Sequence, residues 1–183
     1  AGLHEQVVQG EADWQGADDC SATAYVVRRP DGLDITVDVR DDLLNMNEAQ
    51  PWDNDSVELY FDTRPDDRGT SDAYERGVFQ IVVVPDPTKE GPRKVYYSAG
   101  GDAPAVPGMQ VASQVLVGNR YVVRVYLPFD GLEKTHYRPG NTLHFTFGVN
   151  DADTGPRETQ IMWSGTEDNR RSTRGFGVLT LAP

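Results

Sequence analysis

The chain has 183 residues, enough for one domain with a sizeable core, and no apolar run approaches the ~18 residues that a membrane span needs. Its 29 Asp and Glu against 17 Lys and Arg give a formal charge of −12, which repels phosphate backbones and disfavours nucleic acid and membrane insertion alike. A single cysteine, Cys20, excludes an internal disulfide and a multi-thiolate zinc site, and His4, His136 and His144 show no metal-binding or haem-attachment spacing.

Period-two patterning dominates the chain. Ser21–Val27 alternates weakly, and Cys20 before it is expected to be a small half-buried residue. After the turn Arg29-Pro30-Asp31-Gly32, the segment Leu33–Arg40 alternates without exception. Leu33, Ile35, Val37 and Val39 fall on one side and Asp34, Thr36, Asp38 and Arg40 on the other, as in a half-buried antiparallel strand. Strand patterns follow at Ser56–Asp62, Val78–Val84, Lys94–Ala99 and Gln110–Val117. The turn Val117-Gly118-Asn119-Arg120 predicts a hairpin into Tyr121–Leu127. Leu143–Asn150 comes next, with weaker patterns at Gln160–Trp163 and Phe176–Leu181. One helical turn is expected at Asp130–Lys134. About ten strands without crossover helices imply an all-β antiparallel β-sandwich, jelly-roll-like, with residues 1–183 as a single domain.

The loop Gln50-Pro51-Trp52-Asp53-Asn54-Asp55 holds a tryptophan among polar residues. An aromatic ring in such a loop suits sugar binding, because pyranose C–H groups stack on the ring while carboxylates and amides take the hydroxyls. Equally, Trp52 could fold back and plug one end of the sandwich. In SVELYFD, parity puts Val57, Leu59 and Phe61 on the core face and turns Glu58 and Tyr60 away; Gln80 alternates with Phe79 and Ile81 in the same sense. If those strands are close, Glu58 and Gln80 share a polar face near Trp52.

PWDNDSVELYFD resembles the signature of family 9 carbohydrate-binding modules, and the likeness runs from about Asp31 to Leu181. DGLDITVDVRDD lies on one side of it, and GVNDADTGPRETQIMWSG followed by GFGVLTL on the other. The resemblance implies a β-sandwich with bound calcium-type ions, secreted or on the cell surface, tethered to other domains of a larger polysaccharide-degrading protein. It implies no catalysis. Its ligand would be a mono- or oligosaccharide or polysaccharide, with Trp52 stacking on a sugar ring and Glu58 hydrogen-bonding its hydroxyls. The family's second stacking tryptophan has no counterpart between Trp163 and Phe176, and Gln80 stands where the sugar binders have an arginine. In that stretch Asn169, Arg170 and Arg171 are candidate ligand contacts, the guanidinium planes standing in for the indole. Trp163 matches a tryptophan expected to be structural.

Calcium takes six to eight oxygen ligands, largely carboxylates and carbonyls, and three acidic clusters could supply them: Asp18/Asp19, Asp41/Asp42 and Asp151/Asp153. Two other functions compete with sugar binding. One is a spacer or docking domain that has lost its ligand. The other is an enzyme, a glycosidase using two carboxylates, with haem binding through Met46 or Met109 paired with a histidine as a further option; no phosphate loop, nucleophile elbow or zinc motif supports other chemistry.

Overall fold

The computed structural model describes residues 6–64, 69–130, 132 and 140–182; His4, His136 and most of the helical turn expected at Asp130–Lys134 lie outside them. Eleven strands form among the described residues. They are β1 (Val7–Gln9), β2 (Cys20–Arg28), β3 (Gly32–Asp41), β4 (Ser56–Asp62), β5 (Val78–Pro85) and β6 (Pro92–Ala99). The remainder are β7 (Gln110–Leu116), β8 (Arg120–Pro128), β9 (Thr142–Asp151), β10 (Thr159–Met162) and β11 (Gly177–Thr180). All pairings are antiparallel.

The smaller sheet has the order β2-β3-β8-β7; the larger runs β1-β10-β9-β4-β5-β6, with β11 also pairing with β9. Both hairpins expected from turn chemistry are present. Arg29–Asp31 joins β2 to β3, and Val117–Asn119 joins β7 to β8 with Gly118 and Asn119 both at positive φ. The strand not anticipated is β1: three residues without alternation, which pair only with remote β10.

The alternating apolar residues meet between the sheets. Leu33, Ile35, Val37 and Val39 of β3, with Tyr121, Val123, Val125 and Leu127 of β8, face Val57, Leu59 and Phe61 of β4, Phe79, Ile81 and Val83 of β5 and Phe145 of β9. Phe61 is the aromatic centre, 4.9 Å from Phe79 and 5.1 Å from Phe145 between ring centroids. Cys20 is completely buried within this core.

The outer face of the larger sheet is not left to solvent, since every residue of β4 and β5 is buried. Two loops cover one end of it. Ser71 and Thr173 exchange hydrogen bonds, Thr173 N to Ser71 O at 2.9 Å and Ser71 N to Thr173 Oγ1 at 2.9 Å. Tyr74 donates its hydroxyl to Asn169 O at 2.6 Å. Beneath them Tyr60, Val78, Met162 and Phe176 form a second apolar cluster. A buried pair, Asp62–Arg64 at 2.7 Å, ties the end of β4 into the same cover.

Candidate functional site

A cleft of about 480 Å³ opens on this outer face beside the covering loops. Register builds its floor. Tyr96 of β6, Val82 of β5, Glu58 of β4, Gly148 of β9 and Met162 of β10 lie in one row across five strands. The adjacent row is Ser98, Gln80, Tyr60 and Thr146. Gly148 next to Glu58 lets the Met162 side chain pack close over the sheet, where a Cβ would come within 3.1 Å of it.

Glu58 is only 2% exposed and accepts hydrogen bonds at both oxygens. Gln80 Nε2 donates to Oε2 at 2.8 Å, the Tyr60 hydroxyl donates to the same oxygen, and Asn150 Nδ2 donates to Oε1 at 2.7 Å. A carboxylate with three fixed donors is held in one rotamer, which is how a binding group is preorganised. The neighbouring Tyr60 hydroxyl is pushed well above its usual range by burial and by the Glu58 charge.

Trp52 stands on the β6 side of Glu58, half-buried, its ring edge-on to Tyr96 at 5.5 Å and 82°. It sits in one turn of 3-10 helix, Pro51–Asp53, pinned by wholly buried Asn54. The Asn54 amide donates to Gln50 O at 2.5 Å and its Oδ1 accepts from Glu48 N at 2.9 Å. Trp52 therefore does not plug the sandwich, because this loop holds it at the rim of the cleft.

On the β10 side lies a residue that the sequence reading overlooked. Arg157, from the β9–β10 connection, donates to Asn150 Oδ1 at 2.9 Å and to Gln9 Oε1 at 2.7 Å, and its Nη1 is 3.8 Å from Glu58 Oε1. An arginine thus reaches the cleft from the β9–β10 connection although Gln80 occupies the expected place. Gln160 also donates to Asn150 Oδ1, at 2.8 Å. Nothing local in Gly155-Pro156-Arg157 signals this; only strand pairing brings it in.

The three candidates after Trp163 separate. Arg170 lines the cleft together with Glu167. Asn169 does not: it is 1% exposed and packs under its own loop, donating to Ser164 O at 2.8 Å, with Gly165 and Gly175 against it. Arg171 is turned outward and pairs with Asp168 at 2.5 Å. Short-range loop geometry, invisible in composition, decides these outcomes. Trp163 lies just beyond β10, tilted on Phe145 at 6.1 Å and over Gly177, where a Cβ would come within 2.6 Å of the indole.

The acidic clusters converge at one end of the sandwich. Cys20, Asp41 and Asp151 bring a donor atom each within 4.8 Å of one another, and Asp19, Asp42 and Asp153 do the same. The convergence follows from topology, since Cys20 at the start of β2 pairs with Asp41 at the end of β3 and Asp151 ends β9. Asp18 does not join them; it is exposed and pairs with Arg40 at 2.8 Å. Asp55, not anticipated, lies against the inner group and accepts from Ala152 N at 2.8 Å and Asn45 N at 2.5 Å.

Burial, reinforced by the neighbouring carboxylates, raises Asp55 to about 9, Asp41 to about 8 and Asp151 to about 7. Asp19 Oδ1, Asp41 Oδ2, Asp151 Oδ1, Asp153 Oδ1 and the Tyr121 hydroxyl are buried without a hydrogen-bond partner. Crowded carboxyls with orphaned oxygens must share protons or a cation, and the oxygen-rich donor set fits a hard divalent ion such as calcium.

Comparison with known proteins follows the same lines. The model of the family described as carbohydrate family 9 binding domain-like matches residues 4–183. The chain is 29% identical over 168 residues to exoglucanase XynX of Acetivibrio thermocellus, covering 91% of this chain and 14% of that protein. It is 26% identical over 178 residues to endo-1,4-beta-xylanase A of Thermotoga maritima, covering 95% of this chain and 15% of that protein. It therefore spans about a seventh of these curated relatives. Among solved structures, a family 9 carbohydrate-binding module from Caldicellulosiruptor kristjanssonii in complex with cellotriose superposes with a TM-score of 0.70. The identity is 18%, covering 97% of this chain and 81% of that one. The same module in complex with glucose gives the same score.

Proposed function

The chain belongs to the carbohydrate family 9 binding domain-like family, and on that footing we propose that it is a non-catalytic carbohydrate-binding module of a larger, secreted polysaccharide-degrading protein. The observation that carries this reading is the pairing of Trp52 at the rim with Glu58 at the floor of one cleft. The ring offers an apolar face to pyranose C–H groups, and the clamped carboxylate accepts from sugar hydroxyls. Arg157, Gln80 and Gln160 supply donors beside it, and Arg170 takes part of the role of a second stacking surface. A protein of the same fold carrying glucose or cellotriose supports a β-linked glucose unit as a first ligand to try. The matched relatives being an exoglucanase and a xylanase supports attachment to such an enzyme and export with it. No helix among the described residues is long and apolar enough to cross a membrane.

The same reading includes calcium held at the acidic end of the sandwich. Asp41, Asp55 and Asp151, with the outer group Asp19, Asp42 and Asp153, would hold it, and its charge would let these carboxyls ionise together. The deciding experiment is a fluorescence titration with glucose, cello-oligosaccharides and xylo-oligosaccharides in calcium. A saturable response supports the module. A folded protein that answers no saccharide in that buffer would replace this reading with the spacer or docking domain.

A further inference from the structure

The outer face of the four-stranded sheet lies on the opposite side of the sandwich from the Trp52 cleft, and it carries two tyrosines placed for stacking. Tyr126 of β8 lies over Gly32: a Cβ on that glycine would come within 2.7 Å of the ring, so the missing side chain lets the aromatic lie close to the sheet. Its hydroxyl lies beside Asp31. Tyr126 borders an open groove of about 780 Å³. Tyr25 of β2 is 57% exposed and borders a second hollow of about 350 Å³ on the same face.

Register gives their spacing. Tyr25 pairs with Thr36, and Thr36 pairs with Arg124, two residues before Tyr126. Two strand intervals and two residues of rise put the tyrosine Cα atoms about 12 Å apart, a spacing that a short oligosaccharide covers.

The polar groups around them are numerous and internally neutralised. Buried Asp34 accepts from Arg124 Nη2 at 2.8 Å and Nε at 3.0 Å and from Arg29 Nε. Arg120 pairs with Asp38 at 2.5 Å. These pairs leave guanidinium edges half exposed and add little net field. A surface with aromatic rings, spare donors and balanced charge complements a neutral polyhydroxylated chain; a polyanion would meet no positive excess here on a protein of charge −12.

We propose that this face is a second glycan-binding surface, taking a neutral β-linked polysaccharide chain across Tyr25 and Tyr126, so that the module engages polysaccharide on both sides of the sandwich. This rests on the carbohydrate-binding reading above, and it assigns to the chain a site that does not include Trp52. Short sugars would occupy the cleft, and the second face would act on longer chains, raising retention on insoluble polymer through bivalency.

The test uses the whole chain in calcium with glucose, cellohexaose and xylohexaose in calorimetry, together with retention on insoluble cellulose and xylan. Four proteins are compared: wild type, Trp52→Ala, Tyr25→Ala, and the Tyr25→Ala/Tyr126→Ala double variant, each checked for an unchanged melting temperature. Tyr25→Ala alters only an exposed side chain and keeps the test valid if the double variant melts early. The expected result is that both tyrosine variants bind glucose as wild type does but hold polymer more weakly, the double variant by about tenfold. Trp52→Ala should bind glucose about thirtyfold more weakly and keep residual retention on polymer. Trp52→Ala abolishing all retention, or Tyr25→Ala and the double variant both leaving it unchanged, overturns the second surface while leaving the cleft intact. Wild type binding neither glucose nor polymer would overturn both.

Discussion

Asn150 and Asp151 are consecutive on β9 and face opposite ways: Asn150 Nδ2 donates to Glu58 Oε1 at 2.7 Å beneath the cleft, while Asp151 turns its carboxylate toward Cys20 and Asp41. Strand alternation thus ties the sugar-facing floor to the acidic cluster through one peptide unit. Asp55 makes the same connection just before β4, lying against the acidic group one residue ahead of Ser56, whose hydroxyl accepts from Asn150 Nδ2 at 2.9 Å.

Cation removal should therefore act on both stability and binding. The carboxyls of Asp41, Asp55 and Asp151 sit above their unfolded value near 4, so without a cation their protonation favours the folded state at low pH. That contribution is complete below about pH 4 and lost as pH rises through about 7 to 9. Calcium-stripped protein should melt lower than the loaded form by about 5–10 °C at a hundredfold excess of calcium over its Kd. The gap should be wider at pH 8 than at pH 5, and sugar affinity should fall with the stripped ion. Calorimetric melts at the two pH values, with and without calcium, check this.

Trp52→Ala should weaken sugar binding by about thirtyfold, the cost of about 2 kcal/mol expected for a central aromatic contact. Its half-buried rim position keeps the loss of stability small. Trp52→Phe should recover part of the affinity, since a smaller ring still offers a stacking face. Calorimetric titration of both variants with the ligand found for wild type is the measurement.

Glu58→Gln should reduce both affinity and stability. Tyr60, Gln80 and Asn150 all donate to the carboxylate, and an amide would set its own donors against at least one of them. An unsatisfied buried donor costs about 1–3 kcal/mol, a drop of a few degrees in Tm for a chain of this size. An unchanged melting curve would contradict the hydrogen-bond assignment.

Asn169, Arg170 and Arg171, adjacent in sequence, should behave differently. Asn169→Ala should lower Tm, because it removes the amide that holds Ser164 O inside the loop. Arg170→Ala should leave Tm alone and lower affinity, as it lines the cleft. Arg171→Ala should change neither, because its exposed pair with Asp168 contributes little. Melting and titration of the three variants separate the roles.

How far the chain could be read by eye followed from the range of the forces involved. Alternation at Leu33–Arg40 and Ser56–Phe61 is local: successive side chains on a strand point to opposite faces, so apolar parity alone names the core face and turns Glu58 and Gln80 toward the other. Turn chemistry at Arg29–Gly32 and Val117–Arg120 is local too, and it placed both hairpins. What alternation cannot say is which strands become neighbours. Asp19, Asp42 and Asp153 meet, Arg157 reaches Glu58 from the β9–β10 connection, and Asn169 turns inward while Arg170 lines the cleft. Each depends on pairings or loop contacts among residues far apart in the chain, and β1 formed only because β10 offered it an edge. The sequence by itself determined an antiparallel sandwich with Glu58 and Gln80 turned away from its core, because side-chain parity is a property of a single strand. Only the tertiary structure decided which residues share the cleft and the acidic cluster, because register and loop packing are set between segments.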